Sequence, residues 1–103
     1  MADVNVTVVT MSFQAAEPSR LLSVLAKYVV LSRSARGCRN IDLCASATRE
    51  GRYLVLEKWE SAEAQRAHFD SEEMIEMAAS CRDLLTAPPD IDLYDGISAH
   101  DLI

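Results

Sequence analysis

The sequence predicts an α+β fold of the ferredoxin-like type, a four-stranded antiparallel sheet with helices on one face. Three observations lead there. Segments rich in β-branched and aromatic residues alternate with segments whose apolar residues recur at three and four, in the order strand, helix, strand, strand, helix, strand. Two of the strand segments carry apolar side chains on both parities, so both faces of the sheet ask for cover. The chain has 103 residues, which makes one domain (1–103, core 4–97) with a modest core.

Val4 to Phe13 reads as the first strand, dominated by β-branched residues. Pro18 suits the first turn of a helix, where its missing N–H costs nothing. Leu21, Leu22, Leu25, Tyr28 and Val29 then form an apolar stripe that runs to about Ser32, and Gly37 can take the positive φ that ends such a segment. Cys38 to Ala45 is a second strand, with Ile41, Leu43 and Ala45 on one face and Asn40, Asp42 and Cys44 on the other. The polar turn Ser46 to Gly51 joins it to a third strand, Arg52 to Glu60, as an antiparallel hairpin. Ser61 is an N-cap for a short helix to Phe69. Asp70 to Glu73 has capping-box spacing with Asp70 as the cap. It starts a helix to about Leu85, with Met74, Met77, Ala78, Cys81 and Leu85 on one stripe. Ala87 to Asp90 stops it, Ile91 to Ile97 is the fourth strand, and residues 98–103 form a C-terminal tail.

One sheet face packs on the helices. The other would meet water although both faces of strands one and three are apolar, with Val4, Val6 and Val8 opposing Val9 and Met11, and Leu54 and Leu56 opposing Tyr53, Val55 and Trp59, at a loss of roughly 1.5–3 kcal/mol for each such side chain left exposed. The expectation is a two-fold homodimer in which bare faces pack together, a dimeric α/β barrel.

Composition excludes other classes. The net charge of −6 disfavours nucleic acid and anionic membrane surfaces. No apolar run approaches the ~18 residues of a membrane span, and the N-terminus lacks a basic n-region, so a cytoplasmic protein is expected. Three cysteines without a secretory signal read as free thiols. Two separated histidines and scattered cysteines give no metal spacing, and there is no Gly-rich phosphate loop, so neither metal nor cofactor is expected.

Gly37-Cys38, the segment LEKWES from Leu56 to Ser61, the helix exit AHFDS around His68, and PPDIDLYD before the tail together carry a likeness. Through residues 4 to 97 the chain resembles the antibiotic biosynthesis monooxygenase (ABM) family of dimeric α+β barrels, which includes quinol monooxygenases. The resemblance implies a pocket between each sheet and its own helices, and cofactor-independent oxidation of a quinol or polycyclic phenol by O₂. In that chemistry a deprotonated phenol passes an electron to O₂ and the two radicals combine. The site needs a dry apolar pocket, a proton acceptor and donors for the oxyanion. Haem-degrading relatives place an axial histidine where this chain has Met77, and their pocket asparagine aligns with Val9, so no haem is expected. The alternatives are a non-catalytic binding dimer for a small aromatic molecule and an isomerase on the same pocket.

Within this frame His68, whose imidazole titrates near neutrality, is the proton acceptor; its plainer reading is a helix-end residue that packs or caps. Trp59 stacks on the substrate or offers its indole N–H, or else anchors the core. Tyr53 and Glu57 share the face of Trp59 by the period of two, and Asn40 joins them from the neighbouring strand. Glu57 is either a second base or the partner of a Lys or Arg. Met74 and Met77 line an adaptable pocket or simply fill the core.

Overall fold

A computed structural model of the chain describes residues 6–97. Its elements are β1 (Val6–Gln14), α1 (Pro18–Ser32), β2 (Cys38–Ala45), β3 (Arg52–Trp59), α2 (Ala62–Phe69), α3 (Glu72–Cys81) and β4 (Asp90–Gly96). The strands form one antiparallel sheet in the order β2-β3-β1-β4. This is the ferredoxin-like α+β arrangement, with the second helical segment split in two. Val4 and the tail 98–103 lie outside the described residues.

The helix boundaries follow from caps. Pro18 opens α1, and the Ser61 hydroxyl accepts from the Ala64 N–H at the start of α2. The cap of α3 is Ser71, which accepts from the Met74 N–H, and not Asp70. Asp70 is already engaged as the C-cap of α2, so the capping position moves on by one. Helix α3 ends at Cys81 rather than Leu85, because the chain there turns back to the sheet: Leu85 bridges Ala15, and the Thr86 N–H donates to the Gln14 carbonyl at 2.9 Å. The stripe of α1 is narrower than expected. Leu21, Leu25, Tyr28 and Val29 are buried, while Leu22 on its flank is 37% exposed.

Register sorts the sheet's side chains into two faces. Thr7, Val9, Met11 and Phe13 of β1 lie opposite Trp59, Glu57, Val55 and Tyr53 of β3, and all eight are buried beneath the helices. The other face carries the half-buried Val8, Leu54 and Leu56 interleaved with Thr10, Ser12 and Lys58, flanked by exposed Asn40 and Asp42 on β2 and Asp90 and Asp92 on β4, while Val6, expected to meet water, is 2% exposed.

Strand β2 breaks register between Cys38 and Asn40. Cys38 is opposite Trp59, so an unbroken ladder would set Asn40 opposite Glu57; the bulge sets Ile41 there instead and turns Asn40 to the open face beside Lys58. Just before it, Gly37 has φ +82°, and a Cβ at that position would come within 2.5 Å of the Ala64 Cβ. The close approach seats the start of β2 against α2, and the Gly37 carbonyl accepts from the Glu60 N–H at 2.8 Å. Gly37→Ala combines a left-handed backbone with a carbon–carbon clash and should cost about 2 kcal/mol, read as a lower urea midpoint at unchanged m-value.

Candidate functional site

Four side chains from three elements meet between the sheet and the helices. Glu57 and Trp59 project from β3 two residues apart, Tyr28 hangs from α1, and His68 ends α2. All are buried, with exposures of 3%, 0%, 2% and 5% respectively. The Glu57 carboxylate accepts from the Trp59 indole N–H at 2.9 Å through one oxygen and from the Tyr28 hydroxyl at 2.5 Å through the other. His68 Nε2 lies 3.1 Å from the Tyr28 oxygen, and the imidazole stacks on the Trp59 indole with ring centroids 4.6 Å apart.

The donor count fixes the protons. The one hydroxyl proton of Tyr28 goes to the carboxylate, so His68 must donate through Nε2–H, and its Nδ1 is left as the acceptor. Nδ1 faces the first turn of α3, where Ser71 Oγ is 3.5 Å away, too long for a strong bond. The chain therefore runs His68 to Tyr28 to Glu57, and a proton arriving at Nδ1 would create an imidazolium supported by the carboxylate through the phenol.

The electrostatics agree with that direction. Burial, then the neighbouring Glu57 charge and hydrogen bond, push the Tyr28 hydroxyl far above its usual range, so it stays protonated. Burial holds His68 below its ordinary value of 6.5, against the opposing pull of Glu57 and Glu73. His68 is thus neutral at pH 7 and able to accept. Because its native pKa is depressed, the unfolded chain binds more protons in acid, and stability contributed here is present above 6.5 and falls as pH drops below it. The urea midpoint should be lower at about pH 5.5 than at about pH 7.5, and His68→Gln should shrink that difference.

Beside this cluster lies a cleft of about 420 Å³ between α3, the segment that follows it, and strands β1 and β4. Its walls are mainly apolar, among them Phe13, Met77, Leu85, Pro88 and Ile91, and among the described residues Arg82 is the one charged residue lining it. The volume suits a drug-sized or polycyclic aromatic molecule. Cys81 also lines it, but burial pushes its thiol up, away from the thiolate form.

Of the residues expected to form the site, His68, Trp59, Glu57, Met74 and Met77 come together around the cluster and the cleft. Two do not. Asn40 is exposed on the opposite face of the sheet and donates to Asp42 at 2.9 Å, a consequence of the bulge. Tyr53 has the expected face but the wrong end of the strand: six residues from Trp59 is about 20 Å. It borders a separate hollow with Ser46 and Arg52. Two roles also change. The Trp59 N–H is committed to Glu57 and is not free for a ligand, and Glu57 is held by Tyr28 and Trp59 rather than by a Lys or Arg. Tyr28, the centre of the chain, reads in the sequence only as one of a helix's apolar stripe. Its signal was chemical: a buried phenol needs a partner, and so does a carboxylate on a buried strand.

Among the described residues no three His, Cys, Asp or Glu side chains cluster as metal ligands, and no helix is long and apolar enough to cross a membrane.

The family model described as antibiotic biosynthesis monooxygenase matches residues 6–80. Solved structures share the fold at low identity. Rv0793 from Mycobacterium tuberculosis is 24% identical with a TM-score of 0.87, over 93% of this chain and 99% of that one. A Caulobacter crescentus protein described as a candidate antibiotic biosynthesis monooxygenase is 21% identical with a TM-score of 0.83, over 91% and 92%. PA3566 from Pseudomonas aeruginosa is 20% identical with a TM-score of 0.81, over 95% and 99%. No curated protein matches the chain.

Proposed function

Because this chain belongs to the antibiotic biosynthesis monooxygenase family, we propose that it is a small cytoplasmic oxygenase that oxidises a quinol or polycyclic phenol with O₂, without a resident cofactor. The observation that carries this reading is the buried His68–Tyr28–Glu57 chain beside an apolar cleft. A flat phenol lies in the cleft and gives its proton to His68 Nδ1. Tyr28 and Glu57 hold the ring's orientation and stabilise the imidazolium. The phenolate then supplies the electron to O₂, and apolar walls exclude the water that would otherwise solvate the phenolate and compete for its proton. Trp59 backs the imidazole by stacking, which makes it a positioning residue rather than a donor to substrate.

The working unit is a homodimer. Support comes from the open sheet face, where Val8, Leu54 and Leu56 stay half-buried with no helix over them and would gain cover from a second copy. Light scattering should give a mass near twice the 11.4 kDa of the chain, and a mass of 11.4 kDa at micromolar concentration would remove the barrel. The activity is tested by oxygen uptake with a panel of hydroquinones and anthrones, comparing the native chain with His68→Ala and Trp59→Phe. Uptake no faster than the autoxidation blank with every compound would end the oxygenase reading.

A second reading has its own support. His68 is not among the residues that line the cleft, which favours a binding dimer that holds an aromatic molecule without turning it over. Saturable calorimetric binding of a phenol that is never consumed, in air or without it, would select that reading. Turnover that persists anaerobically would instead select an isomerase.

A further inference from the structure

His68 is separated from the cleft by two methionines. A void of only about 10 Å³ lies against Tyr28, Glu57 and His68, and the residues it shares with the 420 Å³ cleft are Met11 and Met74. Such a void holds at most about one water, so no phenolic hydroxyl reaches His68 in this arrangement. The two walls differ in freedom. Met11 sits mid-strand, paired with Val55 on one side and Ile91 on the other, and is 1% exposed. Met74 is on the first turn of a ten-residue helix, is 8% exposed, and has an unbranched thioether with three rotatable bonds. Its backbone lies one hydroxyl away from the acceptor edge of the imidazole: Ser71 Oγ, 3.5 Å from His68 Nδ1, accepts from the Met74 N–H at 3.3 Å.

From this we infer that Met74 is a specificity-determining residue: its side chain must swing aside to join cleft and void, and it admits only flat phenols whose hydroxyl edge is unhindered. The inference rests on the proposed oxygenase reading for its purpose, but the physical claim concerns access to His68 and needs no turnover. The ring stays among the apolar cleft residues while its leading edge passes between two thioethers. Sulfur contacts an aromatic edge favourably at about 5 Å, so a bare edge is accepted, whereas methyl groups flanking the hydroxyl collide. A β-branched isoleucine at position 74 is stiff at χ1 and cannot clear the path, while alanine leaves it open.

The test uses the full-length chain and two probes, 2-naphthol and 1,3-dimethyl-2-naphthol, with nitrogen-15 NMR of the His68 ring, assigned by its loss in His68→Gln. In the native chain 2-naphthol should shift both Nδ1 and the amides of Leu85 and Ile91, and the dimethyl compound should shift the amides alone. In Met74→Ile saturating 2-naphthol should still shift the amides of Leu85 and Ile91, because Phe13, Met77, Leu85 and Ile91 still wall the cleft, but Nδ1 should no longer respond. In Met74→Ala the dimethyl compound should now shift Nδ1. An Nδ1 response that survives Met74→Ile, a dimethyl compound that reaches Nδ1 in the native chain, or one still kept out in Met74→Ala overturns the inference. So does a saturating naphthol that moves neither cleft nor ring. The alanine variant decides the matter alone if the isoleucine variant does not fold. Absent oxygen uptake with these NMR results intact would discard the oxygenase and keep the gate.

Discussion

Glu57→Ala should lower the folding free energy by about 4 kcal/mol, because it strands two buried donors and leaves a cavity. The donors are the Trp59 indole N–H and the Tyr28 hydroxyl, both bonded to this carboxylate and both cut off from water. For a domain of this size the melting temperature should fall by roughly 20 °C. Against a typical total stability of about 5–15 kcal/mol, that is a large share. Glu57→Gln separates charge from shape. Its carbonyl can accept from Trp59, but its amide must donate to the Tyr28 oxygen, which turns the phenolic proton toward His68 Nε2. The stability cost should then be only about 1 kcal/mol, while the imidazole inverts to the Nδ1–H tautomer. Denaturation of both variants, with nitrogen-15 shifts of the His68 ring in the second, checks the pair. An alanine variant as stable as the native chain would mean that the carboxylate does not hold these donors.

The second large effect is on rate. Removing His68 should reduce oxygen uptake on an accepted phenol by about 10²- to 10³-fold, the usual worth of a positioned general base. Tyr28→Phe is the informative companion. It keeps the ring but deletes the link through which Glu57 reaches the imidazole, so kcat should fall by about tenfold while KM stays near the native value. It should also remove part of the carboxylate's support for the imidazolium, moving the acid limb of the rate profile. A His68→Ala variant as fast as the native chain would assign the proton to another acceptor.

The order of elements was legible because several boundaries are marked by residues whose chemistry favours that place. Pro18 opens a helix, Ser61 caps one, and Gly37 occupies a left-handed conformation that other residues rarely adopt. Three members of the buried cluster were legible too. Glu57 and Trp59 share a face by the period of a strand, and His68 follows on the next helix. The rest failed for two physical reasons. Periodicity gives the face of a strand and not the position along it, which separates Tyr53 from the cluster. Pairing register is not written in either strand: alternation sets Asn40 opposite Ile41 and Leu43, and the bulge after Cys38 puts Ile41, not Asn40, across from Glu57. Tyr28 was hidden because a tyrosine in an apolar stripe looks like its aliphatic neighbours until its hydroxyl has to be accounted for.

The indole stacked on His68 is the chain's only tryptophan. Its emission therefore comes from one place, a few ångströms from the imidazole proposed to take up the proton. A cationic imidazolium against that π-face perturbs the excited indole as the neutral ring does not. The chain thus carries an intrinsic optical gauge of His68 charge, and an acid titration in a cuvette follows the proton on that imidazole without any label.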